Sequence, residues 1–162
     1  MAEREFMTTD LSDAHADLRY LAPNYQDFGG KPRFHGPAKT LLTFEDNTKL
    51  RAAVEQAGNG QVLVVDGGGS MNCALFGGNL AKLAAQNGWA GIIIHGCVRD
   101  RAELAAEAVG IKALASHPKK GEKRDLGSYD VSLNISGVTI HPGSWIYADE
   151  DGVIVSDRQL VV

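Results

Sequence analysis

The stretch Gln61-Val62-Leu63-Val64-Val65-Asp66-Gly67-Gly68-Gly69 decides the fold when it is set beside Ala90-Gly91-Ile92-Ile93-Ile94-His95-Gly96-Cys97-Val98-Arg99-Asp100. Each is a short, β-branched, almost wholly apolar run that ends in a glycine-marked turn, which is how a strand covered on both faces reads. Between them, residues 79–87 place Leu80, Leu83 and Ala84 at helical spacing and stop at Gly88. A strand, a helix and a parallel strand in one sheet cross over right-handed, so the two strand ends lie side by side.

Outward from this unit the same reasoning continues. Upstream, residues 38–44 read as a strand, and Asn47 is placed to cap a helix whose Leu50, Ala53, Val54 and Ala57 share one face before Gly58 and Gly60 end it. Hydroxyls and carboxylates in residues 8–15 can cap a further short helix, and a looser segment follows over 24–30. Downstream, the Ala- and Glu-rich residues 101–109 predict a helix and residues 111–115 a strand. The last third switches to period two. Residues 131–135, a Ser136-Gly137 turn and residues 138–141 form a hairpin, followed by strands over 145–148 and 153–155. Helices with parallel strands first and an antiparallel meander afterwards predict a layered α/β fold, with the two strand groups in separate layers.

At 162 residues and 44% hydrophobic composition, the chain suffices for one core-bearing domain spanning 1–162. A net charge of −4 with 22% charged residues calls for neither nucleic acid nor an anionic membrane, so direct nucleic-acid binding is not expected. The polar start, Met1-Ala2-Glu3-Arg4-Glu5-Phe6, lacks the apolar run of a signal peptide and no stretch is long enough to span a bilayer, which predicts a cytoplasmic protein. Cys73 and Cys97 read as small buried residues rather than a disulfide or metal pair. The 19 glycines cluster at Gly29-Gly30, Gly67-Gly68-Gly69 and Gly77-Gly78, marking tight loops where backbone approaches something closely.

Several spaced motifs in one order resemble the RraA-like family, the regulators of ribonuclease activity and the related pyruvyl aldolases. They are Phe28-Gly29-Gly30, Phe44-Glu45-Asp46-Asn47, Val64-Val65-Asp66-Gly67-Gly68-Gly69-Ser70, Gly77-Gly78-Asn79-Leu80-Ala81, Asn87-Gly88-Trp89-Ala90-Gly91, His95-Gly96-Cys97-Val98-Arg99-Asp100 and Tyr147-Ala148-Asp149-Glu150-Asp151-Gly152. The resemblance implies a three-layer β/β/α swivelling-domain fold, phosphohistidine-domain-like, assembled as a homotrimer or a dimer of trimers with clefts between subunits. It implies one of two roles. One is a metal-dependent 4-hydroxy-4-methyl-2-oxoglutarate aldolase with oxaloacetate decarboxylase activity; the other is an inhibitor that binds ribonuclease E. A methyltransferase label carried by some relatives finds no support, since Asp66-Gly67-Gly68-Gly69 alone is a weak cofactor signal.

The aldolase pattern is a glycine-led loop, then roughly twenty residues, then Arg-Asp. Carried over by resemblance, Gly77, Gly78, Asn79 and Leu80 present backbone N–H groups to a substrate carboxylate at a helix start, where such donors are unpaired and the dipole favours an anion. Arg99 holds the same pyruvyl portion, and Asp100 binds a divalent cation, magnesium or manganese, completed by water and substrate oxygens. The residue types suit the chemistry. Cleavage beside a 2-oxo group leaves an electron pair that must be delocalised into an enolate, a cation on the keto oxygen stabilises that charge, and preorganised charge of this kind is worth several kcal/mol. Many relatives carry an acidic residue where this chain has Gly78, which removes a carboxylate from the neighbourhood of the metal.

Taken singly, each residue also has a plain structural account. Asp100 with Glu103 resembles a helix capping box, Gly77-Gly78 a sharp helix start, and Arg99 one half of a surface ion pair. His95, at a strand end, reads as a packed, hydrogen-bonded residue, and His15, His35, His117 and His141 have no ligand spacing. Lys82 and Lys112 lack a motif that would make them Schiff-base lysines. The run Lys119-Lys120-Gly121-Glu122-Lys123-Arg124 reads as a mobile, solvated loop.

Overall fold

The computed structural model describes residues 5–161. Its centre is the unit read from the sequence: β4 (Val62–Asp66), α3 (Gly78–Gln86) and β6 (Gly91–Val98), with β4 and β6 parallel and in register from Val62↔Gly91 to Asp66↔His95. β7 (Gly110–Ser116) continues the parallel set on the far side of β6, after α4 (Arg101–Ala106). On the other side lies β3 (Phe34–Leu42).

The strand β3 serves both halves of the fold. Its Ala38–Leu42 segment pairs parallel with β4, whereas its Phe34–Pro37 segment pairs antiparallel with β11 (Trp145–Asp149). The hand-over falls at Gly36-Pro37, where Pro37 has no N–H to offer a ladder and a Cβ on Gly36 would stand 2.1 Å from the Gly60 carbonyl oxygen. Beyond β11 come β12 (Gly152–Ser156) and β1 (Arg19–Tyr20), so the main path runs β1-β12-β11-β3-β4-β6-β7-β2, with β2 (Gln26–Asp27) antiparallel at the β7 edge. Two short strands lie off this path: β5 (Ala74–Phe76) on β6 and β8 (Ser128–Tyr129) on β3. A hairpin of β9 (Leu133–Ile135) and β10 (Val138–Ile140) stands apart.

This curled sheet yields the expected three layers. Leu63, Val65, Ile92 and Ile94 face α2 (Thr48–Val54), α3 and α4, and join Leu50, Val54, Leu80, Ala84 and Leu104 in one core. Val62, Val64 and Ile93 point the other way and meet Ile135, Ile140, Ile146, Val153 and Val155 in a second. Both faces of the parallel strands are therefore covered, which is why their sequences are continuously apolar. The two strand groups do lie in separate layers, yet β3 makes them one sheet. No helix among the described residues is long and apolar enough to cross a membrane.

Two cap assignments change. Asn47 occupies the N-cap position of α2 but makes no side-chain cap; Asp46 accepts the Thr48 N–H instead, at 2.9 Å. α1 (Thr8–Ala14) is likewise capped from afar, by Asp149 accepting both the N–H and the hydroxyl of Thr8 at 2.8 and 2.7 Å. Burial pushes the Asp149 carboxyl up, but these bonds and one from the Asp151 N–H outweigh it and hold the group below the ordinary carboxylate range.

The ring of Phe34 is wedged between Gly91 and Gly110, where added Cβ atoms would lie 2.2 and 2.0 Å from it. Gly110→Ala is expected to cost about 1–3 kcal/mol through overpacking. Thermal unfolding checks this, and a melting temperature equal to that of the parent contradicts the packing account.

Candidate functional site at the junction of two helix starts

The site forms where β5 and β6 end. The Arg99 N–H donates to the Phe76 carbonyl at 2.9 Å, holding the chain after β6 against the chain that leads into α3. Gly77 is extended, Gly78 opens the helix, and the N-cap Gly77 has no side chain with which to cap α3. The N–H groups of Asn79 and Leu80 lie in the first turn, where no preceding helical carbonyl can reach them.

Asp100 follows with φ 64° and ψ 49°, a left-handed conformation that costs a non-glycine residue about 1–2 kcal/mol. That geometry turns its carboxylate away from its own helix: the side chain caps nothing in α4, and Oδ2 accepts the Gly78 N–H at 2.9 Å. The capping-box account of Asp100 and Glu103 therefore does not describe this structure. Nor does the ion-pair account of Arg99, which makes no salt bridge among the described residues; its Nη1 donates a long 3.4 Å bond to the Pro118 carbonyl.

Neither glycine has a left-handed backbone; what distinguishes them is close approach, tight against Asp100 at Gly77 and against the movable end of Glu103 at Gly78. A Cβ on Gly77 would stand 2.7 Å from Asp100 Oδ2 and 3.3 Å from Arg99 Cγ. One on Gly78 would fall 1.7 Å from Glu103 Oε2. The volume an acidic side chain at position 78 would enter is thus filled by the carboxylate of Glu103, reaching over from α4.

Gly77, Gly78, Asn79, Leu80, Arg99 and Asp100 all line one pocket of about 180 Å³. Six further residues line it, the apolar Ala74 and Phe76 and four polar ones that sequence reasoning missed, Asn47, Arg51, Lys120 and Lys123. The Lys119-to-Arg124 run is solvated, its side chains exposed, but its backbone is tied down: Gly121 N–H donates to the Ala74 carbonyl at 2.9 Å, Ala74 N–H to Lys119 at 2.7 Å, Glu122 N–H to Glu45 at 2.8 Å and Asn47 N–H to Glu122 at 3.1 Å. Asp46, fully buried, fastens it by accepting the N–H groups of both Thr48 and Arg124, at 2.9 and 2.5 Å. Burial opposes ionisation of Asp46, but these donors prevail and hold its carboxyl below the usual range. The signal for this was the Phe44-Glu45-Asp46-Asn47 block, whose acidic residue needs a partner once the fold buries it.

Other candidates fall outside the pocket. His95 lies inside β6 rather than at its end, and its Nδ1 is hydrogen-bonded to the Tyr25 hydroxyl at 2.8 Å, as expected of a packed histidine. Burial, with the Asp66 charge added, pushes that hydroxyl well above its ordinary range. Asp66 Oδ1 accepts the Gly68 N–H and shapes its own loop. Lys112 is buried and paired with Asp27 at 2.9 Å, while Cys73 and Cys97 are free and buried. A larger hollow of about 590 Å³ beside Phe6, Arg33 and His35 contains none of the six residues.

For a cation, the chain offers few protein ligands. No group of three or more His, Cys, Asp or Glu side chains converges among the described residues. Asp100, with Glu103 beside it, suits a hard, well-hydrated ion such as magnesium or manganese, which keeps most of its waters, and not zinc, which takes three or four protein ligands.

A fold of this kind with this pocket matches a known group. The family model described as "RraA-like: Aldolase/RraA" matches residues 8–155, and the chain belongs to that family. A relative from Burkholderia multivorans (strain ATCC 17616 / 249), provisionally named 4-hydroxy-4-methyl-2-oxoglutarate aldolase, is 58% identical over 161 residues, covering 96% of this chain and 98% of its own. Among solved structures, the RNA-processing inhibitor RraA of Thermus thermophilus superposes with a TM-score of 0.94 at 47% identity, over 98% of this chain and 96% of that one. A Geobacillus kaustophilus HTA426 structure described as an S-adenosylmethionine:2-dimethylmenaquinone methyltransferase gives 0.93 at 45% identity, over 96% and 97%.

Asp46→Asn is expected to put an amide NH₂ against one of the two N–H donors, costing about 1–3 kcal/mol. Trypsin should then cut after Lys119 to Arg124 markedly faster; unchanged cleavage contradicts the pinned loop. Because the native carboxyl lies below its unfolded value, near 3.9 for Asp, its contribution is present above about pH 4 and fades as pH falls through the folded value. The variant's stability should accordingly fall less steeply in acid than the parent's.

Proposed function

We propose that the chain is a divalent-metal-dependent aldolase that cleaves 4-hydroxy-4-methyl-2-oxoglutarate-type 2-oxo acids to pyruvate and decarboxylates oxaloacetate. The observation that carries the reading is the meeting, in one pocket, of the first-turn N–H groups of α3, an Arg99 without an ion-pair partner among the described residues, and a left-handed Asp100. The provisional aldolase name of the 58% identical relative supports it.

In this reading the first-turn N–H groups of α3 and the guanidinium of Arg99 bind the carboxylate next to the 2-oxo group, the helix dipole adding to the attraction. Asp100 would hold the cation, with Glu103 alongside. When bound, the cation supplies Lewis-acid polarisation of the keto oxygen. In retro-aldol cleavage the bond between C3 and C4 breaks, its electron pair becomes the C2–C3 double bond of pyruvate enolate, the C4 hydroxyl gives up its proton to solvent as that carbon becomes a carbonyl, and a proton from solvent adds to C3 of the enolate to give pyruvate. In oxaloacetate the same bond breaks with loss of CO₂. Arg99, a fixed donor fork, stabilises the charge that develops on the pyruvyl portion and needs no reorganisation to do so.

A second reading is favoured by the likeness to a structure described as an RNA-processing inhibitor: binding of ribonuclease E through the protein surface, without catalysis. Assembly as a homotrimer or a dimer of trimers belongs to the same proposal, and sedimentation velocity tests it.

Turnover of both substrates is expected with magnesium and should vanish with chelator, and Arg99→Ala and Asp100→Ala should each lower kcat by about 10²–10³-fold. A parent protein without metal-stimulated turnover sinks the aldolase reading. For the second reading, capture of ribonuclease E at micromolar concentration should survive Asp100→Ala; no capture by the parent protein removes it.

A further inference from the structure

The pocket carries more positive charge than a pyruvyl group requires. Arg51, Arg99, Lys120 and Lys123 line it against the single carboxylate of Asp100. A 2-oxo monocarboxylate presents one anionic group, and Arg99 with the α3 start already answers it.

The backbone that carries the two lysines is pinned, although their side chains are exposed. Lys120 sits in the strand-like bridge to Ala74, Lys123 lies between Glu122 and Arg124, and the two ends of this segment are tied down by Ala74 and by the buried carboxylate of Asp46. Neither lysine has an ion-pair partner among the described residues, although their neighbours do: Arg124 pairs with Glu122, and Lys49 with Asp125 at 3.1 Å. On α2, Glu55 engages Arg51 through Nε at 2.9 Å, which leaves the two terminal nitrogens of the guanidinium for another acceptor. Like charges gathered around one concave site repel each other unless an anion sits among them.

We infer that Arg51, Lys120 and Lys123 form a second anion subsite in the same pocket as Arg99 that reads the distal carboxylate of a 2-oxo dicarboxylate. The inference rests on the aldolase reading for naming the ligand a 2-oxo acid, and deepens it by assigning which residues select substrates with a second acidic end. Since the three side chains are half-exposed or exposed, each contributes a few-fold and the set acts together, more weakly at high salt.

Calorimetric binding of 2-oxoglutarate and 2-oxobutyrate in magnesium tests this, because the two ligands share the pyruvyl end and differ in the distal carboxylate. The parent should bind the dicarboxylate about tenfold tighter or better. Lys120→Met/Lys123→Met should lose most of that preference with the 2-oxobutyrate Kd unchanged within about twofold, Arg51→Met added to it should abolish the remainder, and Lys120→Arg/Lys123→Arg should restore it. Retained 2-oxobutyrate binding shows that the variants are folded. A parent without preference, a parent that binds neither ligand, a methionine variant that keeps the preference, or equal weakening for both ligands overturns the proposal. Intact dicarboxylate preference without turnover sinks the aldolase reading instead and leaves the anion subsite standing.

Discussion

The hydrogen bond from the Gly78 N–H to Asp100 Oδ2 is the constraint on which the site depends. It joins the start of α3 to the start of α4 and requires three things at once. Residue 77 must be glycine, because any Cβ there meets the same carboxylate; residue 100 must accept a left-handed backbone; and β5 must pair with the end of β6 so that the two helix starts converge. Aspartate is among the few non-glycine residues that tolerate that backbone at modest cost. The strain is offset by the bonds around it, including the Leu104 N–H donating to the Asp100 carbonyl at 2.9 Å.

The rest of the architecture makes that junction rigid. A parallel sheet covered on both faces gives β4 and β6 little freedom to slide, and β3 ties the sheet to the antiparallel layer through its change of partner at Gly36-Pro37. Asp46 extends the same logic to the loop that brings Lys120 and Lys123 to the pocket, committing a buried carboxylate to backbone donors from two segments far apart in sequence. The backbone of the lining residues drawn from loops is thereby pinned to the strands, which favours a pocket of defined shape.

Much of the fold was legible because periodicity reports burial directly. The β4-α3-β6 unit, the further parallel strand, the hairpin and the terminal meander all lie where the residue pattern puts them. The short strands β1, β2, β5 and β8 were not legible, since two- or three-residue pairings are set by neighbours rather than by their own sequence. The caps failed for a related reason. Asn47 and the hydroxyl-rich start of α1 had the right side chains nearby, but Asp46 and Asp149, one of them brought in from the far end of the chain, took the bonds. At the site, the residues named from the glycine loop and the Arg-Asp pair do converge, whereas Arg51, Lys120 and Lys123 became visible only once the loop that carries the two lysines was folded against the start of α2. A basic run has no local signature that separates a pinned wall from a solvated one.

The central claim is that Asp100, aimed by Gly78, is a cation ligand in a 2-oxo acid site. Electron paramagnetic resonance of Mn²⁺ added to the protein tests it most directly. The account predicts one saturable site per chain in the parent, tightened by a bound 2-oxo acid, and its loss in Asp100→Asn, which preserves the side chain's size and can still accept the Gly78 hydrogen bond. Equal manganese affinity in parent and variant would contradict it.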